Sequence, residues 1–259
     1  MSHLITRRRL ITSGLGILAG GSGVALAAGL ANRYGLIPPD NRGILGIGET
    51  LTYAGQRIIT AHNSMAREFS RSEISKVAPV LGNPPQGDVY QRLSYGGFAD
   101  WRLTIDGLVA RPTSFSLADL KRLPARSQVT HQACEEGWSF IAEWIGVPLS
   151  YVLNLVGALP QARYVVALPY ENDEPPNVWW ESIDMADAYH PQTLLAYGMN
   201  GSDLPSPHGA PLRLKVPRQL GYKNVKYLYH LTVTDSVKKI GKGLGGSFPE
   251  AGWSWWAGI

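Results

Sequence analysis

The sequence has a single cysteine, Cys134, among 259 residues. A disulfide framework within one chain is therefore impossible, and so is a multi-cysteine zinc site. Charge is sparse as well. Asp, Glu, Lys and Arg make up 17% of the chain, against roughly a quarter in an ordinary soluble domain. The formal net charge is +4, from 24 basic and 20 acidic residues, but Arg7, Arg8 and Arg9 are the only charged residues before Arg33. Without those three, 21 basic groups face 20 acidic ones. The body is near neutral, which excludes the basic surface of a nucleic-acid binder. His-Glu-x-x-His, Cys-x-x-Cys and Gly-x-Ser-x-Gly are all missing, and with them the common zinc-protease, dithiol and serine-hydrolase signatures. Gly14, Gly16 and Gly20 have the wrong spacing for a dinucleotide fingerprint. No internal repeat is visible.

What is present begins with an address. Thr6-Arg7-Arg8-Arg9-Leu10-Ile11 leads into an uncharged apolar run rich in Gly, Ala, Leu and Val, with small residues at Ala25, Ala27 and Ala28. Residues 1–31 are expected to be a signal of the twin-arginine type, which places the protein in the periplasm. The run is about 22 residues long, enough to span a bilayer and hold the protein at a membrane if it is not cut. The twin-arginine route carries folded cargo, which suits a protein that receives a cofactor in the cytoplasm.

Residues 32–90 read as an extended arm around a core, punctuated by Pro38-Pro39 and Gly82-Asn83-Pro84-Pro85, with one amphipathic helix between Leu51 and Phe69. Beyond them the pattern sharpens. Trp101, Leu103 and Ile105 alternate with Arg102, Thr104 and Asp106, predicting a half-buried strand. Ser116 and Asp119 form a capping-box-like start to a short helix. Pro148 opens a helix with Leu149, Val152, Leu153 and Val156 on one face, and Gly157 can end it. Strands are expected over Gln128–Ala133, Arg163–Leu168, Leu212–Val216 and Tyr227–Thr234, a short helix over Ser182–Tyr189, and a hairpin turn at Asn200-Gly201. Strands and short helices alternate without a βαβ rhythm, so the expected class is α+β with a mixed sheet. From Gly241 the chain becomes a Gly-rich tail closing on Trp253, Trp255 and Trp256.

Two regions carry the chemistry. Cys134 stands where a strand runs out into a loop, among His131, Glu135 and Glu136. A thiolate there suits a transition metal. A buried inert thiol is the plain alternative, and two neighbouring acids raise a thiol pKa unless a metal overrides them. Between His208 and Lys226, five basic residues and a histidine fall within 19 positions, with Arg213 and Lys215 on one strand face. Such a cluster can cradle phosphate, or form a solvated basic face.

The two regions together resemble a known family. Cys134-x-x-Gly137-Trp138-Ser139 with Trp144-x-Gly146-Val147-Pro148-Leu149 resembles the molybdenum-binding segment of sulfite-oxidase-like molybdopterin oxidoreductases. His190-Pro191-Gln192-Thr193-Leu194-Leu195-Ala196-Tyr197-x-Met199-Asn200-Gly201 and His208-Gly209-Ala210-Pro211-Leu212-Arg213 resemble the pterin-binding half, and Lys223-Asn224-Val225-Lys226 the loop over the pterin phosphate. The match runs from about Asp100 to Val233. The resemblance implies a molybdenum atom held by a pterin dithiolene and by Cys134, the one metal-ligating and catalytic residue. It puts His131, His208, Arg213, Lys223, Asn224, Val225 and Lys226 on the cofactor, and Tyr170, Trp179 and Trp180 are the candidate pocket wall. The implied domain is residues 91–240, followed by an aromatic tail over 241–259 and lacking the C-terminal immunoglobulin-like dimerisation domain of sulfite oxidases.

The implied activity is two-electron oxo-transfer on a small substrate, as sulfoxide or N-oxide reduction or as sulfite-type oxidation. Electrons would be exchanged with a haem cytochrome, membrane b-type or soluble c-type, by a monomeric catalytic subunit. Two departures set the chain apart. Trp179 and Trp180 fill the stretch where sulfite oxidases carry a tyrosine, and Pro169 falls where methionine-sulfoxide reductases of this fold carry a threonine. The sequence is thus similar to periplasmic methionine-sulfoxide reductase catalytic subunits and belongs to a short periplasmic group of its own. Two other functions stay open on the residues alone. One is a hydrolase with Cys134 as nucleophile and His131 as base. The other is a non-catalytic periplasmic module that binds pterin.

Overall fold

A computed structural model describes residues 31, 36–42, 46–59, 64–170 and 179–259. The expected signal, apart from Ala31, lies outside the described residues. Among the described residues no helix is long and apolar enough to cross a membrane.

Among the described residues, ten strands and six short α-helices alternate along the chain. The helices are α1 (Gly46–Ile59), α2 (Asp88–Tyr95), α3 (Leu117–Arg122), α4 (Leu149–Val156), α5 (Met185–Ala188) and α6 (Ser247–Glu250). The strands are β1 (Arg102–Gly107), β2 (Thr113–Ser116), β3 (Arg126–Ala133), β4 (Ser139–Pro148), β5 (Tyr164–Pro169), β6 (Glu181–Asp184), β7 (Leu194–Met199), β8 (Ser202–Asp203), β9 (Arg213–Lys215) and β10 (Leu228–Thr234). One sheet runs β2-β1-β10-β5-β6, and the other β3-β4-β7-β8 with β9 also paired to β7. Only β1 and β10 run parallel, so the first sheet is mixed and the second antiparallel. The class is α+β with a mixed sheet, as expected.

Local chemistry explains most elements. Leu103 and Ile105 on β1 are fully buried while their neighbours face water. Ser116 Oγ accepts from Asp119 N at 3.1 Å while the Asp119 carboxylate accepts from Ser116 N at 2.9 Å, closing the capping box of α3. Leu149, Val152, Leu153 and Val156 form the buried face of α4, which stops at left-handed Gly157. Each such side chain, removed from water, contributes roughly 1.5–3 kcal/mol. Asn200 and Gly201 both have positive φ, 51° and 79°, the geometry of a two-residue hairpin turn between β7 and β8.

Several expectations need correction. The arm's helix spans Gly46–Ile59, not Leu51–Phe69, and a second helix, α2, begins at the arm's end and runs on to Tyr95. Residues 66–69 instead run beside β3, where Phe69 N donates to Val129 O at 2.9 Å. Ser182–Tyr189 is not one helix. Strand β6 takes Glu181–Asp184, and Asp184 then caps the one-turn α5 by accepting from Asp187 N at 2.8 Å. The ten-residue β4 had no sequence signal, because both of its faces are covered and its apolar run is broken by buried Glu143.

The core divides by sheet face. Val165 and Ala167 of β5 face the main cluster with Leu103, Leu153, Leu231 and Val233. Tyr164 and Val166, on the opposite face of β5, pack with Tyr53, Trp180, Trp255 and Trp256. The tryptophan tail is thus docked on the body: Trp255 is 1% exposed and Trp256 8%. The arm is pinned at the same side. Arg57 of α1 reaches Asp184 at 2.5 Å and Asp187 at 2.8 Å, and Arg218 meets Asp187 at 2.8 Å.

Candidate active site

The two sheets feed one cavity of about 340 Å³. Strand β3 ends at Ala133, and a turn of residues 134–138 reverses it into β4. Cys134 N donates to Trp138 O at 2.9 Å, Gly137 N donates to Cys134 O at 3.1 Å, and Gly137 takes φ 91°. A left-handed position of this kind favours glycine. The turn therefore holds Cys134 on the cavity wall by backbone bonds. Gly221 comes close behind it: a Cβ there would lie 3.3 Å from Ala133 O and 3.5 Å from Cys134 Cα. Its lack of a side chain lets the β9–β10 loop approach the cysteine.

Cys134 is 8% exposed and its Sγ donates to Glu135 Oε2 at 3.4 Å. Burial first, and then the Glu135 carboxylate, push the thiol up to about 11. At neutral pH such a thiol is protonated and a poor nucleophile. A bound cation reverses that balance by stabilising the thiolate. Among the described residues no group of three or more His, Cys, Asp and Glu could hold a metal ion.

The basic cluster turns inward. Arg213 on β9 is 5% exposed and lines the cavity. Its Nη1 donates to His208 O and its Nη2 to Asn224 O, both at 2.9 Å, tying two loops together. Its Nε is buried with no partner, and among the described residues it makes no ion pair with a carboxylate. Burial pulls its pKa down to about 10, a cost that an anion in the cavity would offset. Lys215, on the same face, is 1% exposed, and both cations lie over the Trp144 ring, at 4.9 and 5.3 Å. His208 also lines the cavity. Burial, then the Arg213 and Lys226 charges, bring its pKa down to about 4, so it is neutral at pH 7.

The structure brings most of the expected residues to one place. Cys134, His208, Arg213, Asn224, Val225 and Lys226 line the cavity, as do Tyr170 and Trp179. The Asn224 side chain is used in its own loop: Oδ1 accepts from Val216 N at 2.7 Å and Nδ2 donates to Leu220 O at 2.9 Å. Lys226 Nζ donates to Leu81 O at 2.7 Å and Pro207 O at 3.2 Å, so it clasps the arm segment that forms another wall.

Three expected residues stand elsewhere. His131 does not line the cavity. It alternates with Gln132 along β3, so the two side chains leave opposite faces, and Gln132 is the one on the cavity. That separation removes the thiol–imidazole pair which the hydrolase reading required. Lys223 is fully buried, with Nζ donating to Glu181 Oε2 at 2.6 Å and Ser182 O at 3.1 Å. Its charge is met by a protein carboxylate 42 residues away in sequence. Trp180 points away from the cavity into the cluster around Trp255, as the neighbour of Trp179 in extended chain must. Sequence reasoning missed Gln132, Tyr222 and Phe248. Gln132 could have been found by its place two residues before Cys134. Phe248 had no signal, since only tertiary contact brings it to the site.

The oxidoreductase molybdopterin binding domain family matches residues 91–240, more than half of the chain. The chain belongs to this family. The expected sulfite-oxidase-like resemblance is thereby borne out, and the chain is an enzyme of the molybdopterin oxidoreductase class. A curated relative, the putative protein-methionine-sulfoxide reductase subunit YedZ1 of Azospira oryzae, is 41% identical over 196 residues, covering 76% of this chain and 69% of that protein. The protein-methionine-sulfoxide reductase catalytic subunit MsrP of Ralstonia nicotianae is 32% identical over 145 residues, covering 52% of this chain and 44% of that one. Among solved structures, the sulfane dehydrogenase SoxCD of Paracoccus pantotrophus aligns with TM-score 0.49 and 28% identity over 53% of this chain and 39% of that chain. The chain spans less than half the length of these last two. The residues present fit the family's cofactor. One cysteine can ligate the metal, and a buried Arg213 with an unpartnered Nε waits on the same cavity for an anion.

Proposed function

We propose that this molybdopterin oxidoreductase is the catalytic subunit of a sulfoxide reductase. One observation carries the reading: the only cysteine and the buried Arg213, which has no carboxylate partner among the described residues, share one cavity. The names of the two curated relatives, a putative protein-methionine-sulfoxide reductase subunit and a protein-methionine-sulfoxide reductase catalytic subunit, support the direction of the reaction. Cys134 would hold the metal. Arg213, His208, Lys226 and the backbone of Asn224 and Val225 would hold the pterin and its phosphate. When bound, the molybdenum centre supplies two-electron exchange with an oxygen atom. The net reaction takes a sulfoxide, two electrons and two protons to a sulfide and water. The turn at Cys134 would hold the thiolate ligand in place, and the aromatic walls at Tyr170, Trp179 and Phe248 would orient the substrate and exclude bulk water. Electrons come singly from a haem cytochrome, membrane b-type or soluble c-type, which docks on a monomeric catalytic subunit.

Protein purified from a cofactor-making host should carry near-stoichiometric molybdenum by elemental analysis. It should reduce methionine sulfoxide with reduced viologen as donor. Absence of molybdenum removes the reading. Molybdenum without sulfoxide turnover, but with sulfite oxidation, reverses its direction.

Arg213→Ala is expected to lower molybdenum content about tenfold after purification, the scale for one charged hydrogen-bonding partner. Unchanged occupancy in a folded variant would count against Arg213 as the anion's partner. The export route is part of the same proposal. Replacing Arg7 and Arg8 with Lys should leave the protein in the cytoplasm by cell fractionation, whereas continued export would indicate the Sec route.

A further inference from the structure

Residues 241–259 lie beyond the family match, which ends at 240, yet they build part of the cavity. Phe248 of α6 lines it with Trp179 and Tyr222. The Phe248 ring stands edge-on to Trp179 at 4.4 Å and lies 4.8 Å from Tyr222. Trp253, outside the cavity lining and 44% exposed, adds a further ring 5.7 Å from Phe248. Rings crossed in this way restrict one another.

The segment is held on both sides of Phe248. Upstream, Ser247 N donates to Trp180 O at 2.8 Å, and Trp180 N donates back to Ser247 Oγ at 3.0 Å. Phe248 N donates to Glu181 Oε1 at 2.9 Å, and the other oxygen of that carboxylate takes the Lys223 ammonium. Downstream, Tyr222 Oη donates to Ser254 O at 2.6 Å, and Leu220 N donates to Ala257 O at 2.9 Å. Trp255 then seals the end, with Nε1 donating to Ser182 Oγ at 2.9 Å. Lys223, absent from the cavity, is a positioning residue for Phe248 through Glu181.

We propose that the C-terminal segment is the substrate-selecting wall of the site, with Phe248 contacting an uncharged thioether-type sulfoxide, as in an oxidised methionine side chain. The inference rests on the sulfoxide-reductase reading and names the substrate class of that same site. The wall formed by Trp179, Tyr222 and Phe248 carries no charge, and the Cys134 thiol meets the Glu135 carboxylate. An oxyanion such as sulfite would meet aromatic faces at this wall, the Arg213 and Lys226 cations of the same cavity being the ones assigned to the cofactor's phosphate. A sulfoxide brings a polarizable sulfur and alkyl arms, which aromatic edges attract.

The test compares wild type, Phe248→Ala and Phe248→Leu as holoenzymes, with a methionine-sulfoxide peptide and with trimethylamine N-oxide, which has no sulfur. Molybdenum content and quenching of intrinsic tryptophan fluorescence by the peptide are measured alongside. Both variants should raise KM and the fluorescence-derived Kd for the peptide about five- to tenfold, the scale of one lost sulfur–aromatic contact. The ratio of peptide KM to N-oxide KM should rise with them, because the N-oxide has no sulfur to lose. Phe248→Tyr should restore the peptide KM. Leu keeps the apolar bulk, so it decides the matter if Ala fails to fold. An unchanged peptide KM in metal-loaded Phe248→Leu, or equal rises for both substrates, overturns the inference while leaving sulfoxide reduction intact. A metal-loaded wild type inert toward every sulfoxide overturns the reaction itself, and this assignment with it.

Discussion

Cys134→Ser should lose sulfoxide turnover by roughly a thousandfold or more, about 4 kcal/mol of transition-state stabilisation, in protein that remains folded. The side chain changes by one atom, and the turn that carries it is closed by backbone bonds from Cys134 N and Gly137 N. The fold therefore has little reason to fail. The chemistry does. A serine hydroxyl is a harder donor and stays protonated at neutral pH, so it does not replace a thiolate on a transition metal. The free thiol is itself pushed up to about 11, by burial and then by Glu135, so without a metal it is not an effective nucleophile either. Steady-state kinetics with reduced viologen, beside molybdenum analysis and circular dichroism, checks the outcome. Full turnover in the variant would end the ligand assignment.

Asp187→Ala should destabilise the protein by about 3–5 kcal/mol, the range for removing one partner of a buried ion pair. For a chain of this size that lowers the thermal midpoint on the order of 10 °C. Asp187 is 1% exposed and takes Arg57 on one side and Arg218 on the other, with Gln219 Nε2 as a further donor. Its loss takes one carboxylate from each of two buried guanidiniums, leaving Arg57 to Asp184, and Arg57 is the arm's anchor to the catalytic body. Asp187→Asn, which keeps the shape and some hydrogen bonds, should cost less. The pH dependence has a definite sign. Burial opposes ionisation of Asp187, but the Arg57 and Arg218 charges prevail and hold its carboxyl well below the usual range. A depressed aspartate contributes its full stability above its unfolded pKa, about 3.9, and loses it as pH falls below that value. The wild type should weaken steeply on acidification in that region, and the variant less so. Denaturant midpoints across pH measure both effects.

The legibility of this protein in its sequence followed the range of the forces involved. The capping box at Ser116, the apolar face of α4 and the Asn200-Gly201 turn are made by residues within one or two turns of each other, so their pattern is printed in order. Strand β4 was unreadable for the opposite reason. Its Glu143 is met by Arg71 and Ser127, distant residues that no local pattern announces.

The same division holds at the site. By itself the sequence determined the α+β class, the molybdopterin family and the two motifs that meet in the cavity, because a lone cysteine and a basic loop in fixed order are covalent facts of the chain. Only the tertiary structure decided which way each side chain faces. Strand alternation sends Gln132 into the cavity and His131 out of it. Glu181 draws Lys223 inward, because a buried ammonium is stable only beside a compensating charge. The tail's Phe248 reaches the cavity because Trp255 and Trp256 bury themselves against β5 and carry it there. Direction and long-range burial are properties of the folded packing.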